Sequence, residues 1–214
     1  MENNKASGVL TDLADFFTTK LEKHGSTPQA VDLNGERSQF IRFEQLIRIF
    51  SLNESDSFSV NDLGCGYGAL YDYIKNEYPN VVYNGYDISE AMINEAQKRH
   101  VQYPKVHYRV AAEPAEVADY GVESGIFNLR FGCSDAEWQA HIEATLDILD
   151  RTSRRGFAFN CLTSYSDADK MRPDLYYADP CKLFDYCKRK YSRNVALLHD
   201  YGLYDFTILV RKDM

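Results

Sequence analysis

Three alternate glycines that follow a predicted strand have the spacing of a ligand-binding loop. Residues 58–63 lead into Gly64, Gly66 and Gly68, and Asp62 lies two positions before the first glycine. Because glycine lacks a Cβ atom, such a loop can adopt positive φ angles and bring its backbone close to a ligand. The helix predicted to follow directs its free amide groups to the same place. A carboxylate at this point favours a ligand that carries positive charge and disfavours a pyrophosphate.

A second acidic residue lies at the end of the next predicted strand. Residues 81–86 lead into Asp87, Ile88 and Ser89. In nucleotide-binding α/β sheets, an acidic side chain at this point binds the ribose hydroxyls, and the ligand lies across the carboxyl ends of the strands. The two motifs together predict a site for a ligand that contains a nucleoside.

The pairing of Asp-x-Gly-x-Gly-x-Gly with Asp-Ile-Ser resembles the class I methyltransferases that use S-adenosylmethionine. The resemblance implies that S-adenosylmethionine is the cofactor and that S-adenosylhomocysteine is released. It also implies that the three glycines wrap the methionine part of the cofactor, with Cys65 inside the loop and Asp62 supporting it. Asp87 would bind the ribose diol, and Ile88 would pack on the adenine.

The same glycines are compatible with another class of protein. They satisfy the dinucleotide fingerprint G-x-G-x-x-G/A, which would end at Ala69, and Asp87 lies near the expected offset for a ribose carboxylate. Asp62, the third alternate glycine at Gly68 and a predicted C-terminal hairpin favour the methyltransferase. An NAD(P)-dependent oxidoreductase and a non-catalytic subunit that only holds S-adenosylmethionine remain the alternatives.

The resemblance also implies contacts from the N-terminal helices and from the fourth strand. Cap helices in this family often supply a side chain to the carboxylate of the cofactor. Arg42 is the candidate here, with Arg37 and Gln39 on the same predicted helix as alternatives. Ser124 is expected beside the methionine tail, and Phe127 is expected in the floor of the pocket.

The residues that would carry the chemistry follow the fourth and fifth predicted strands. Methyl transfer from a sulfonium is a direct displacement, so catalysis can come largely from holding donor and acceptor in line. A general base is needed only when the acceptor must lose a proton early. Glu123 is a candidate for positioning an ammonium or hydroxyl group, although a solvated or helix-capping carboxylate fits its position equally. Asn160 and Tyr165 are expected to orient a polar acceptor.

A polar, tyrosine-rich segment, residues 163–180, is too long for an ordinary connection and is therefore expected to be functional. Its Arg172, Tyr176 and Tyr177 are predicted to bind the acceptor together with Asn128. Guanidinium groups suit carboxylates and phosphates, and tyrosine rings provide an apolar wall with a polar tip. A surface ion pair for the arginine and simple packing for the tyrosines are the alternatives. We expect a small, polar acceptor that is methylated on oxygen or nitrogen.

The predicted elements alternate between strand and helix across most of the chain. Helices are predicted over 9–24, 36–50, 69–78, 90–100, 135–153 and 180–191, and strands over 58–63, 81–86, 106–111, 119–124, 157–162, 195–199 and 203–210. Such alternation requires a mostly parallel sheet with helices on both faces. It predicts one Rossmann-like, doubly wound α/β domain over 1–214, with a two-helix cap over 1–50 and a cofactor-binding core over 58–212. The resemblance implies seven strands, of which the last is antiparallel.

The composition limits the classes of partner. The chain has 214 residues and a net charge of −8, which argues against a nucleic-acid substrate because phosphate binding depends on Lys and Arg. No stretch approaches the roughly 20 apolar residues of a membrane helix. No export signal is visible, so we expect a cytoplasmic protein. The five cysteines are scattered without a C-x-x-C pair, which argues against a metal site or a disulfide scaffold. A monomer and a homodimer both fit the sequence.

Overall fold

The structure, a computed structural model, describes residues 3–50 and 56–212. Its helices are α1 (Asn3–His24), α2 (Glu36–Ile47), α3 (Ala69–Ile74), α4 (Glu90–His100), α5 (Asp135–Arg151) and α6 (Pro180–Lys190). Its strands are β1 (Ser59–Leu63), β2 (Val82–Asp87), β3 (Val106–Val110), β4 (Ala118–Ser124), β5 (Ser153–Leu162), β6 (Asn194–Leu198) and β7 (Asp205–Arg211). Short 3₁₀ turns cover Pro28–Val31 and Ala168–Lys170.

The strands form one seven-stranded sheet in the order β3-β2-β1-β4-β5-β7-β6. The neighbours β3, β2, β1, β4 and β5 are parallel, whereas β7 runs antiparallel to both β5 and β6. A short connection joins β6 to β7, and a hairpin of this kind makes consecutive strands antiparallel. The predicted fold class is confirmed, including the antiparallel last strand.

The chain changes direction across the sheet between β1 and β4. Leu63 at the end of β1 is in register with Tyr86 of β2 on one side and with Glu123 of β4 on the other. The glycine loop, the tip of β2 and the end of β4 therefore meet at one edge of the sheet. In open α/β sheets this switch point is where ligands bind.

Two apolar clusters cover the two faces of the sheet. One contains Phe43 and Leu46 of α2 together with Leu70 of α3, and the other contains Leu13 of α1 together with Trp138 of α5. The two N-terminal helices thus pack into different clusters. Burial of each large side chain contributes about 1.5–3 kcal/mol, so both helices are anchored to the sheet. Each helix within residues 3–50 and 56–212 is too short or too polar to cross a lipid bilayer.

Capping side chains fix the start of the helices that follow β2, β4 and β5. The Ser89 hydroxyl accepts a hydrogen bond from the Met92 amide (3.3 Å), and Ser134 forms a reciprocal capping box with Glu137. Asp179 caps α6 through two backbone amides. Helices α4, α5 and α6 consequently begin at the predicted residues.

Several other boundaries differ from the prediction. Helix α1 begins at Asn3 rather than at residue 9, and α2 ends at Ile47 rather than at residue 50. Helix α3 ends at Ile74, four residues before its predicted end, and Pro79 disfavours helical geometry at residue 78, where the prediction ended. Strand β5 begins at Ser153, four residues before its predicted start. Arg154 and Arg155 conceal that start in the sequence, since charged residues are uncommon in a central strand.

Candidate functional site

A cavity of about 820 Å³ opens at the edge of the sheet where the carboxyl ends of the parallel strands meet. A volume of this size is within the usual range for a small-molecule site. One wall comes from β1, the glycine loop and the end of β4. The opposite wall comes from α2, the preceding loop, the 163–180 segment and the start of β7. The residues that line the cavity, on one wall or the other, include Asp62, Gly64, Cys65, Ser124, Asn128, Asp32, Ser38, Gln39, Arg42, Ser166, Lys170, Arg172, Tyr177, Tyr204 and Asp205.

The glycine loop has a left-handed backbone at each of its three glycines. The φ angles are +77° at Gly64, +53° at Gly66 and +83° at Gly68. The loop is tied to β2, because the Gly64 and Cys65 amides both donate to the Tyr86 carbonyl at 2.7 and 3.0 Å. Gly64, Cys65 and Tyr67 of the loop border the cavity, whereas Gly66 and Gly68 do not.

The first and third glycines are required by close neighbours outside the cavity. A Cβ atom at Gly64 would overlap the side chain of Ile126, and one at Gly68 would lie 2.5 Å from the Tyr108 hydroxyl and 2.8 Å from Cε1 of His100. Distances this short do not occur between real Cβ atoms and their neighbours. The glycine spacing therefore serves the packing behind the loop as well as any ligand in front of it.

Asp62 is the carboxylate at the end of β1, and it lies in the cavity wall with 2% of its surface exposed. One of its oxygens accepts a hydrogen bond from the Tyr83 hydroxyl. Burial raises the pKa of Asp62 from 3.8 to about 7, against the lowering effect of the Tyr83 hydrogen bond. Within residues 3–50 and 56–212, Asp62 has no ion-pair partner, whereas the other wall carboxylates, Asp32 and Asp205, are paired. This wall can accept a cationic group.

Asp87 and Ile88 lie at the tip of β2, beside the cavity but outside its wall. One carboxylate oxygen of Asp87 accepts the Gly66 amide at 2.9 Å, and the other accepts the Ser89 amide at 2.8 Å. Burial raises the pKa of Asp87 while these amides oppose the shift. Ile88 is half-buried against the α1–α5 cluster. Each Asp87 oxygen keeps a lone pair for a hydroxyl donor.

Glu123 and Asn160 are buried beside the cavity and do not border it. Both are 0% exposed. Glu123 accepts the Ile126 amide at 2.6 Å through Oε1, and Asn160 donates to the Ser124 hydroxyl at 3.2 Å. The second oxygen of Glu123 and the Asn160 carbonyl oxygen lack hydrogen-bond partners in the described part of the chain. Burial raises the pKa of Glu123 well above its usual value, because it disfavours the charged form of the carboxyl group.

Arg42 forms a buried ion pair within the opposite wall of the cavity. Its Nε and Nη2 atoms donate to the two carboxylate oxygens of Asp205 at 3.0 and 2.6 Å, and Nη1 donates to the Ser38 carbonyl at 3.0 Å. Asp205 is 1% exposed, and burial raises its pKa although Arg42 opposes the shift. The guanidinium group expected to receive a cofactor carboxylate is thus already bound to a carboxylate of β7.

A chain of ion pairs crosses the rim of the cavity. Asp32 accepts the Lys20 ammonium group at 2.7 Å and Nη1 of Arg172 at 3.1 Å. Arg172 also binds Asp174 at 2.5 Å. These contacts join α1, the loop before α2 and the 163–180 segment. Arg172 therefore has the ion-pair role that was the alternative to binding an acceptor, although its side chain lies in the wall.

The remaining predicted residues divide between the wall and its surroundings. Asn128 and Tyr177 border the cavity, and their side chains accept the amides of Leu162 (3.0 Å) and Arg172 (2.9 Å). Tyr176 is outside the wall and donates to Gln139 at 3.0 Å.

Tyr165 and Phe127 are two further predicted site residues that do not border the cavity. Tyr165 is 68% exposed and packs near the His199 ring, and Phe127 is 0% exposed with its carbonyl bound to the Trp138 indole at 2.8 Å. One side chain is thus largely in solvent and the other in the core.

Asp205 is the main wall residue that sequence reasoning missed. It precedes the apolar residues of β7 and is in register with Leu162 at the carboxyl end of β5. Because β7 is antiparallel, its first residue reaches the edge at which the other strands end. The signal available in the sequence was a carboxylate as the first residue of a strand whose other residues are mostly apolar.

Comparisons with known proteins agree on one family. Residues 61–151 match a family described as a methyltransferase domain. A protein of Mycobacterium tuberculosis whose name classes it as a methyltransferase is 61% identical over 161 residues, which cover 75% of this chain and 97% of that protein.

Solved structures show the same fold at low sequence identity. Magnesium protoporphyrin IX methyltransferase from Synechocystis, with S-adenosylhomocysteine bound, has a TM-score of 0.65 and 15% identity over 95% of this chain and 99% of that one. The complex of DhpI with S-adenosylhomocysteine has a TM-score of 0.63 and 14% identity over 97% of this chain and 98% of that one. Similar structures also include a carbon methyltransferase and an N-methyltransferase, so this likeness carries no information on the acceptor atom.

Proposed function

This chain belongs to the class I methyltransferases that use S-adenosylmethionine, and we propose that it methylates an oxygen or nitrogen atom of a small, polar acceptor. The observation that supports the proposal is the cavity of about 820 Å³ with two unlike walls. One wall is the glycine loop with Asp62, a carboxylate that has no ion-pair partner among the described residues. The other combines polar side chains of three separate segments with apolar ones such as Leu33 and Leu175.

The wall beside the glycine loop fits the cofactor. When bound, S-adenosylmethionine supplies an electrophilic methyl group on a positively charged sulfur atom. The carboxylate of Asp62, which has no cationic partner in the described residues, suits the positive charges of the methionine part. The left-handed backbone at Gly64 lets the loop approach the ligand, and Cys65 and Ser124 complete this side. Asp87 would accept the ribose hydroxyls with the lone pairs that its two amide contacts leave free.

The opposite wall fits a polar acceptor of limited size. Ser38, Gln39, Asn128 and Tyr177 present hydroxyl and amide groups, and the cavity must hold the methionine part of the cofactor as well. The net charge of −8 also favours a small molecule over a nucleic acid. Each group can orient a hydroxyl or amine through a single hydrogen bond.

Asp205 is the carboxylate that we propose to receive a proton when the acceptor must lose one. It borders the cavity, and both of its oxygens retain a free lone pair beside the Arg42 guanidinium group. Glu123, the candidate for positioning the acceptor, lies outside the wall, and burial raises its pKa. We therefore assign the proton-accepting role to Asp205.

Calorimetric titration tests the cofactor part of the proposal. We expect S-adenosylhomocysteine to bind the purified protein and NAD⁺ to give no heat of binding. Binding of NAD⁺ without S-adenosylhomocysteine would refute it.

A radiolabel assay tests the acceptor part. The protein is incubated with S-adenosylmethionine that carries tritium in its methyl group and with panels of small alcohols, carboxylic acids and amines. Mass spectrometry then locates the methyl group in the product. Labelled oxygen or nitrogen is expected, and labelling confined to carbon atoms or to macromolecules contradicts the proposed acceptor.

A further inference from the structure

Behind the glycine loop, away from the cavity, three side chains form a chain of hydrogen bonds that runs from the buried Tyr108 and His100 to the partly exposed Asp72. The Tyr108 hydroxyl lies 2.7 Å from Nδ1 of His100, and Nε2 of His100 lies 3.1 Å from a carboxylate oxygen of Asp72. His100 is 3% exposed and Tyr108 is 7% exposed. The chain links α3 to α4 and β3, and α4 and β3 are also joined by the Gln97 side chain, which donates to the Tyr108 carbonyl at 3.2 Å.

The direction of the hydrogen bonds follows from the donors available. Asp72 also receives Lys75 at 2.7 Å and Arg99 at 2.5 Å. Burial alone raises the pKa of Asp72, but the hydrogen bonds from His100, Lys75 and Arg99 outweigh it and lower the pKa, so the group is ionised. An ionised carboxylate only accepts, so Nε2 of His100 carries a hydrogen and donates to Asp72. Each ring nitrogen of His100 thus has one hydrogen-bond partner, Asp72 at Nε2 and the Tyr108 hydroxyl at Nδ1.

The chain of hydrogen bonds lies directly against the glycine loop. A Cβ atom on Gly68 would come within 2.5 Å of the Tyr108 hydroxyl and 2.8 Å of His100, so these two groups fill the space that the missing side chain leaves. Beside Gly85 on β2, the Tyr108 ring and the Cys65 sulfur share the space in the same way. Cys65 borders the cavity, so packing is continuous from Tyr108 to the cavity wall.

We propose that Asp72, His100 and Tyr108 are positioning residues that hold the glycine loop in its binding conformation and thereby set the affinity for the cofactor. Glycine-rich loops lose the most conformational freedom on ordering, and a loop that is ordered in advance binds with a smaller entropic cost. The contacts with β2 restrain the start of the loop, and the Tyr108 hydroxyl restrains its end at Gly68. The inference rests on the proposed function, because it concerns the affinity for that cofactor.

The test is Tyr108→Phe, which removes one hydroxyl and keeps the ring. We expect its dissociation constant for S-adenosylhomocysteine to rise about two- to tenfold, the range for one lost hydrogen bond. Amide exchange at residues 66–68 of the unliganded protein should accelerate. The matched control is Tyr103→Phe, since Tyr103 packs on Tyr71 at 5.2 Å and on His100 at 6.1 Å without contacting the loop glycines.

A double variant separates positioning from loss of stability. His100→Asn breaks the chain at its centre, so adding Tyr108→Phe to it should weaken binding little further, because the two residues act as a unit. Unchanged affinity and unchanged exchange in Tyr108→Phe overturn the inference, as does an equal loss in Tyr103→Phe. If the wild-type protein does not bind S-adenosylhomocysteine, the proposed function fails, and loop exchange still tests the positioning role.

Discussion

The two walls of the cavity are built in different ways. The wall beside the glycine loop comes from residues at the ends of adjacent parallel strands, and Asp62, Gly64 and Ser124 are placed there by sheet register alone. The opposite wall joins segments that are far apart in the chain, and ion pairs hold it together. Arg42 and Asp205, for example, are separated by 163 positions. The first wall is a property of local geometry, whereas the second depends on specific long-range charges.

This difference agrees with the proposal that one wall binds a common cofactor and the other an individual acceptor. Strand ends and a glycine turn are supplied by the fold itself, so the same binding geometry can recur in many proteins. Long-range pairs such as Arg42–Asp205 can change without altering the sheet. The identity of the acceptor is therefore expected to reside in the wall formed by the cap, the 163–180 segment and the start of β7.

Arg42→Met should have the largest effect. It leaves the buried Asp205 carboxylate without its counter-charge, so we expect the free energy of unfolding to fall by about 3–5 kcal/mol in urea titrations. Arg48→Met on the exposed end of the same helix is the control and should change stability little.

The double variant Arg42→Met with Asp205→Leu sharpens the comparison. It removes both charges, so most of the lost stability should return. Its affinity for S-adenosylhomocysteine should stay near the wild-type value if Arg42 belongs to the acceptor wall. A large loss of affinity in a stable double variant would instead make Arg42 a cofactor-binding residue, as the resemblance implied.

Asp87→Ala tests the cofactor side. The ribose hydroxyls would lose a charged acceptor, so calorimetry should show binding of S-adenosylhomocysteine weakened by about 1–3 kcal/mol. Asp87→Asn keeps one acceptor oxygen and should lose less. Unchanged affinity in the alanine variant would mean that the ribose does not lie at the tip of β2.

The pH dependence of binding tests the unpaired carboxylate. Because the pKa of Asp62 is about 7 and a cationic ligand favours the ionised form, affinity for S-adenosylhomocysteine should rise by about tenfold from pH 6 to pH 8, with release of a proton. The effect of pH on folding stability has the opposite sign to its effect on affinity. The folded-state pKa is above the unfolded value of 3.8, so the contribution of Asp62 to stability is present at low pH and is lost as the pH rises through 7. In Asp62→Asn, both the affinity and the free energy of unfolding should depend less on pH. If either still depends on pH as in the wild-type protein, another group is responsible for the titration.

Arg172→Met should have the smallest effect. Its side chain is 47% exposed, so loss of its ion pairs with Asp32 and Asp174 should change the free energy of unfolding by less than about 1 kcal/mol. Affinity for S-adenosylhomocysteine should not change, whereas turnover with an identified acceptor should fall. Arg189→Met, which breaks an exposed pair on α6, is the control for turnover.

The sequence was informative where local rules decide the structure. The glycine spacing and the acidic tip at Asp87 predicted a ligand site at the carboxyl ends of the strands, because each signal is local in the sequence. The mostly parallel sheet followed from the alternation of strands and helices, and the antiparallel β7 from the family resemblance.

The opposite wall of the cavity could not be predicted from the sequence in the same way. The sequence placed Arg42 on the correct helix but could not supply its partner, because nothing local links a helix in the cap to the first residue of β7. Tyr165 and Phe127 were chosen for their residue type near strand ends, and side-chain direction placed one in solvent and the other in the core. These positions depend on packing between distant segments.

The ion pairs of Asp32 with Lys20 and Arg172 have a kinetic consequence. They join three segments at the cavity, so we expect a ligand to enter and leave more easily when these contacts are weakened. Dissolved ions screen exposed pairs. Rates of ligand association and release in stopped-flow measurements should therefore increase together with ionic strength, by more than the equilibrium constant changes.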